Sequence, residues 1–255
     1  MSVTHPPSAP EVNEVDASDL RAALALGWRD FRRAPMLGAV FSAVYVLGGW
    51  LIWWAMTAKG QIWWTLPASA GFPILGPFIA CGFYEISRRQ EAGEPLTAAG
   101  VFGVIFRQKD RQIPAIAAVI VVYFLFWNFL SHMIFALFLG NAVMTNVSSS
   151  LAVFLSPQGL AMLGFGTLVG AGFATLLFCL TVVSLPMLLD REVDFVTAML
   201  TSFALVRENP GVMLGWGLLI ATCLFVAMLP AFLGLFLVLP VFGHASWHLY
   251  RRAIT

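Results

Sequence analysis

Apolar residues in this chain gather into long uncharged runs, and short polar gaps between the runs hold the charges. Runs of about twenty residues match the roughly 30 Å hydrocarbon thickness of a bilayer at ~1.5 Å of helix per residue. Six crossings fit the pattern: about 35–56, 63–84, 113–138, 160–185, 211–229 and 231–249. The last two share one apolar stretch, Gly211 to Leu249, whose 39 residues would reach ~58 Å as a single helix, about twice the membrane core. Arg207 precedes this stretch and Arg251-Arg252 follows it, so both ends belong on one side. Pro230 is the natural place to turn.

Charge then orients the crossings. Thirteen of the fourteen Lys and Arg residues, and all thirteen acids, fall in alternate gaps, and only Lys59 falls on the other side. The excess of positive charge marks the cytoplasmic face, so both termini are expected there. Trp50, Trp53, Trp54, Trp63 and Trp64 crowd the first outer turn, where indole rings settle at the headgroup level. The second outer loop, 140–159, is uncharged and is expected to lie in the interface or dip into the bundle; its Asn146-Val147-Ser148 is a chance-frequency sequon. Residues 1–17 carry Pro6, Pro7, Pro10 and three acids, Glu11, Glu14 and Asp16. They read as a disordered cytoplasmic tail, and the first run is expected to insert as an uncleaved anchor.

A unit recurs three times, over about 18–89, 95–191 and 193–252. Each begins with an amphipathic segment (Leu20–Arg33, Leu96–Arg111, Phe195–Arg207), meets Pro35, Pro114 or Pro210, and then crosses twice. Proline suits the first turn of the following helix, where its missing N–H has no partner to lose. In the third segment Val196, Met199, Leu200 and Phe203 share a face, expected to lie on the membrane or under the bundle. The predicted fold class is all-α: a polytopic six-helix transmembrane bundle of three helical-hairpin repeats, forming one domain over 18–255 with cytoplasmic interfacial amphipathic helices. Pro77 and Pro240 each stand eleven residues before an Arg pair, and Pro186 stands closer to Asp190-Arg191. A mid-span proline kinks a helix, either for packing or as a hinge beside a gated vestibule.

Composition narrows the chemistry. The chain is 60% apolar and 11% charged, against about 25% charged in soluble domains. With no Asp, Glu, Lys or Arg placed inside a crossing, a buried carboxylate relay has no candidate. The net charge of +1 is sorted by membrane side rather than gathered into a groove, so nucleic acid is not an expected partner. Asn128 and His132 stand four apart on the third crossing, and His244 and His248 stand four apart on the sixth, a spacing that can chelate a metal. By residue count His132 and His244 differ by ~18 Å in depth, too far to share a haem iron. His132 is expected to make an interhelical hydrogen bond or reach the outer interface, and His248 to sit at the headgroups. Cys81, Cys179 and Cys223 read as small apolar residues, and Gly166-x-x-x-Gly170 and Gly211-x-x-x-Gly215 as close helix packing.

The stretch Ser184-Leu-Pro-Met-Leu-Leu-Asp-Arg191, with Ala198, Ser202, Ala204, Asn209-Pro210 and Met213-Leu-Gly-Trp216, resembles a family of uncharacterised bacterial integral membrane proteins. This is the domain of unknown function 2189. The resemblance extends to Leu239-Pro-Val-Phe-Gly-His-Ala-Ser-Trp-His-Leu-Tyr-Arg251 and covers most of 18–252. Some members carry the label of putative cytochrome c oxidase subunit, so the resemblance implies an accessory or assembly association with a respiratory complex.

The expected function is that of a non-enzymatic protein of the bacterial inner membrane, packing with a membrane complex, a second copy or anionic lipid headgroups, with no cofactor. The alternatives are a transporter or channel for a neutral or lipid-like solute, gated at Pro77, Pro186 and Pro240, and a haem- or metal-associated respiratory subunit. Asp190 and Arg191 are expected to be structural, pairing with Arg88 or Glu85.

Overall fold

A computed structural model describes residues 10–59, 65–140 and 151–255. Ten α-helices follow one another among these residues: α1 Ala17–Arg33, α2 Pro35–Lys59, α3 Thr65–Ala92, α4 Ala98–Gln108, α5 Ile113–Leu139, α6 Pro157–Thr181, α7 Ser184–Asp190, α8 Phe195–Glu208, α9 Pro210–Met228 and α10 Leu235–Ala253. A 3₁₀ turn at Leu151–Leu155 leads into α6. The sequon and the charged tip of Lys59, with Trp63 and Trp64, lie outside what is described.

Local chemistry accounts for the helix starts. Asp16 accepts from the Ser18 and Asp19 N–H groups while Asp19 accepts from the Asp16 N–H, a reciprocal cap on α1. Thr97, Ser156 and Asp194 cap α4, α6 and α8 in the simpler way. Pro35 opens α2 and Pro210 opens α9, and Pro114 is the second residue of α5. Each therefore stands where its missing N–H has no intrahelical partner.

The 39-residue stretch does turn at Pro230. Helix α9 stops at Met228 and α10 starts at Leu235. Ala231 and Phe232 adopt left-handed backbone, φ 52° and 66°, which side chains other than glycine rarely accept. The Trp50 indole N–H donates to the Ala231 carbonyl at 2.7 Å and ties this strained turn to α2.

Among the described residues, four helical segments are long and apolar enough to cross a membrane: Pro35–Trp54, Ile113–Leu139, Pro157–Asp190 and Pro210–Met228. Helix α10, expected as the sixth crossing, is not among them, and α3, expected as the second, is described with its side chains only from Phe72 on. Their last turns carry Glu85, Arg88, Arg89 and Glu91 on α3, and His244, His248, Arg251 and Arg252 on α10. Both face protein rather than the surroundings, and α10 touches α1, α2, α3, α7 and α9. Exposed Phe129, Leu137, Leu168, Leu218 and Phe225 lie instead on α5, α6 and α9, an outward apolar surface suited to lipid.

Two expectations change, and a third narrows to one of its alternatives. Residues 10–16 are ordered rather than a loose tail: Glu11 and Thr255 exchange backbone hydrogen bonds at 3.1 Å, and the Asn13 N–H donates to Ala253 at 2.9 Å. Residues 1–9 lie outside the described residues. Pro186 does not kink a continuous helix. The chain breaks at Val182–Val183, the Val183 N–H reaches Ser202 Oγ at 3.3 Å, and Pro186 falls in the first turn of α7. On α8 the buried face is Ala198, Thr201, Ser202, Leu205 and Val206, while Val196, Leu200 and Phe203 point outward. Small and hydroxyl side chains let α8 approach α6 and α7, leaving the bulky apolar residues for the outer surface.

Helix α1 is docked, not merely laid on a surface. A Cβ at Gly27 would stand 2.7 Å from both the Ala245 nitrogen and the Val241 oxygen of α10. Backbone cannot yield there, so Gly27→Ala should lower stability by about 1–3 kcal/mol through overpacking. A Cβ at Gly215 of α9 would meet nothing within 4 Å, so that half of the second glycine motif does no packing inside the chain. Gly215→Ala should be neutral or stabilising by up to about 1 kcal/mol. Thermal unfolding of both variants in a mild detergent checks the pair; equal destabilisation would contradict this packing.

Candidate functional site

The small-residue face of α1, Ala23 and Gly27, continues one turn later to Asp30, which is fully buried. A buried carboxylate costs several kcal/mol unless it is paired and hydrogen-bonded. Here α10 supplies His248, whose Nε2–H donates to Asp30 Oδ2 at 2.6 Å. The Arg29 guanidinium donates to Oδ1 at 3.1 and 3.2 Å, and the Ser87 hydroxyl of α3 lies close enough to this carboxylate to favour its charged form. Gln90 on α3 donates to the Asp30 backbone carbonyl at 3.1 Å.

The chain of bonds continues inward. Ser87 Oγ lies 2.9 Å from His244 Nδ1, and the Phe83 carbonyl lies 3.1 Å from the same nitrogen. Because the Phe83 carbonyl can only accept, Nδ1 carries the histidine proton and donates. His248 donates to Asp30 directly. His244 Nε2 is then an acceptor, and it is buried without a partner. Burial pushes the Asp30 carboxyl up, but the hydrogen bond and charge of His248, followed by Ser87 and Arg29, outweigh it and hold the group below its ordinary value of 3.8. Its contribution to stability is thus present above that ordinary value and lost as pH falls through the lower folded one.

A second node sits at the end of α3. The buried Glu85 carboxylate receives Arg88 at 2.7 and 3.1 Å and Arg89 at 2.8 Å, with Arg107 of α4 at 3.6 Å. Glu94 returns to Arg88 with two 3.0 Å bonds. Hydrogen bonds to Glu85 and then Glu94 push the Arg88 guanidinium well above its ordinary value, so it stays charged. Between α3, α4, the turn that follows α4, and α7 lies a cavity of about 410 Å³, lined by Glu85, Arg88, Arg107, Gln108, Arg111 and Asp190. Val104 and Leu189 form its apolar wall.

Asp190 and Arg191 do not pair with Arg88 or Glu85. Asp190 accepts from the Tyr250 hydroxyl at 2.8 Å and from Arg251 at 3.3 Å. Arg191 donates to the Tyr250 oxygen at 2.9 Å and to the carbonyls of Ile254 and Thr255 at 3.1 and 3.0 Å. The α7 terminus is thereby fastened to the end of α10. The nearer partners were available because the C-terminal residues fold back over this end, which charge spacing along the chain does not reveal. Arg251 also reaches Glu91 at 3.3 Å, and Arg252 reaches Asp19 at 3.1 Å.

The remaining sequence candidates stand apart. His132 is exposed on α5 and its Nδ1 donates to the Asn128 carbonyl at 2.7 Å, so its bond is within the helix rather than between helices. Asn128 likewise bonds back to the Phe124 carbonyl at 2.9 Å. Pro77, Pro186 and Pro240 are all buried, and a Cβ at Gly38 would stand 3.0 Å from the Pro240 ring. His248 is buried on Asp30 rather than set at an interface. The nitrogens of His244 and His248 turn to separate protein partners. Among the described residues no three His, Cys, Asp or Glu side chains gather to hold a metal.

Asp30, Ser87 and Gln108 are not singled out in the sequence, and Glu85 is read there only as a partner of Asp190 and Arg191. For Asp30 a signal existed: Ala23, Gly27 and Asp30 follow helical spacing on a small-residue stripe. Small residues allow close approach, and an acid at the end of such a stripe becomes buried with them. Glu85 and Gln108 had no comparable signal.

The family comparison concerns the segment that builds the Glu85 node, the cavity and the Asp190 carboxylate. Residues 65–190 match the family model described as a predicted integral membrane protein, the domain of unknown function 2189. This protein is an integral membrane protein. The matched segment runs from α3 through α7, so the stretch similar to that family contributes Ser87, Glu85 and the cavity wall, while Asp30, His244 and His248 lie outside it. No curated protein and no solved structure matches the chain.

Removing the central carboxylate tests the second node. Glu85→Gln should destabilise by about 2–4 kcal/mol, less than a wholly buried pair because Arg88 and Arg107 keep some solvent. Thermal unfolding in detergent reads the loss. An unchanged midpoint would mean that the arginines do not depend on Glu85.

Proposed function

We propose that this protein is a non-enzymatic accessory subunit of the bacterial inner membrane, made of three hairpins that cross six times, with both termini in the cytoplasm. One observation carries the reading. The ion pairs among the described residues link the ends of α1, α3, α4, α7 and α10 into one charged cap, while the apolar faces of α5, α6 and α9 are left open. A body that is apolar outside, and charged only at one end, recognises partners through packing within the membrane or through charge at that end.

The six-crossing count rests on giving α3 and α10 the inner places. From Thr65 to Tyr84, α3 supplies ~30 Å of helix before its first acid, enough to cross. Helix α10 is shorter, and the Leu229–Gly234 turn completes its passage. Inner helices contact protein rather than lipid, so they tolerate the polar residues that exclude a lipid-facing one. The buried placements of Pro77, Pro186 and Pro240 favour packing kinks, and with them an accessory role over a gated pathway.

Two measurements test this reading. With Glu192→Cys and Lys59→Cys in separate variants, an impermeant maleimide applied to intact cells should label only the second. Labelling of the Glu192→Cys variant from outside would overturn the orientation. Affinity purification in mild detergent should recover a stoichiometric membrane-protein partner or a second copy of the chain, and recovery as a lone monomer would count against the accessory role.

A further inference from the structure

The cavity between α3, α4 and α7 has unused binding capacity. We propose that it binds a phosphate group, carried by an anionic phospholipid headgroup or present as free phosphate. The inference rests on the proposed placement of the charged cap at the cytoplasmic headgroup level, and it names a ligand for that cap.

Its two carboxylates are already satisfied. Glu85 takes Arg88 and Arg89 in short hydrogen bonds, and Asp190 takes Tyr250 and Arg251. Of the guanidiniums lining the cavity, Arg88 is held by Glu85 and Glu94, but Arg107 and Arg111 keep free capacity. Arg107 approaches Glu85 only at 3.6 Å and is 59% exposed along its side chain. Arg111 has one carboxylate partner, Glu192 at 3.2 Å, which is itself 92% exposed and so holds it weakly. Each guanidinium carries five N–H donors in a planar fork that fits phosphate oxygens in pairs.

A second, independent observation points the same way. Gln108 lines the cavity and is 3% exposed, yet its side-chain oxygen has no hydrogen-bond partner. A buried amide oxygen left unpaired is unfavourable, and a ligand in the cavity removes that cost. The oxygen and nitrogen of an amide exchange places by a simple flip, so Gln108 offers a donor to a phosphate oxygen or an acceptor to a headgroup hydroxyl. The volume of about 410 Å³ suits a headgroup-sized ligand. Phe106, exposed on α4 beside Arg107, sets an apolar ring at the rim, where acyl chains would begin.

The test uses the purified full-length protein in an uncharged maltoside detergent, with the unfolding midpoint read by tryptophan fluorescence. Dihexanoyl phosphatidic acid, dihexanoyl phosphatidylglycerol, dihexanoyl phosphatidylcholine and inorganic phosphate are titrated separately at physiological salt. The anionic lipids should raise the midpoint saturably, and phosphatidylcholine should not. Arg111→Gln, which leaves the core untouched, should weaken apparent affinity roughly tenfold, the effect of losing hydrogen bonds to a charged group. Arg107→Gln should do the same, and the paired control Arg32→Gln/Arg33→Gln on α1 should bind as the unaltered protein does. Saturation by inorganic phosphate with the same arginine dependence, and no lipid effect, would assign the site to free phosphate. Absence of any saturable shift, or an equal loss in the α1 control, would overturn the proposal. Because binding in detergent does not depend on sidedness, its failure is separable from a failure of the maleimide experiment.

Discussion

A carboxylate buried where three helices meet sets the terms for the rest of this structure. Asp30 has no contact with solvent, so its charge is tolerable only if α10 brings His248 and α3 brings Ser87 to it. That requirement fixes the rotation of α1 about its axis and its height along α10. Gly27 then gives the close approach that keeps the carboxylate dry. Breaking one partner leaves a charge in an apolar site, which costs far more than a surface pair would.

The charged end is built outward from this point in layers. Next to Asp30 lies the His244–Ser87 link, and beyond it Trp247 donates to Glu91 at 2.9 Å. Farther out, Tyr250 joins Asp190 to Arg191, and the C-terminal residues pair with residues 11–13. The buried carboxylates Asp30 and Glu85 hold several fixed partners while exposed Glu192 holds one among the described residues, as electrostatics requires: buried charges need fixed partners and exposed ones need few. The helices that carry the polar residues, α3 and α10, therefore occupy the inner positions, and the most apolar helices face outward.

Helix boundaries and types were largely legible in the sequence, because proline, capping residues and hydrophobic run length act locally. The turn at Pro230 and the prolines opening α2, α5 and α9 follow from such rules. What the sequence concealed depends on contacts between distant segments. His248 was placed at an interface since nothing local shows that Asp30, 218 positions away, would cover it. Asp190 was paired with the wrong element because the return of Ile254 and Thr255 is a tertiary event. On α8 the bulky apolar face, read as lying on the membrane or under the bundle, points outward, which fits the first of these for a physical reason. In water those residues point inward, whereas beside lipid they point outward and the small ones pack.

The central claim is that Asp30 and His248 act as one unit fastening α1 to α10, and a double-mutant cycle tests it most directly. Asp30→Ala, His248→Leu and the combined variant are compared with the unaltered protein by thermal unfolding in detergent at neutral pH. The account predicts that the double variant loses less than the sum of the singles, with a coupling of about 1.5–3 kcal/mol, as expected for a hydrogen bond to a charged group. Losses that simply add, within about 0.5 kcal/mol, would contradict it.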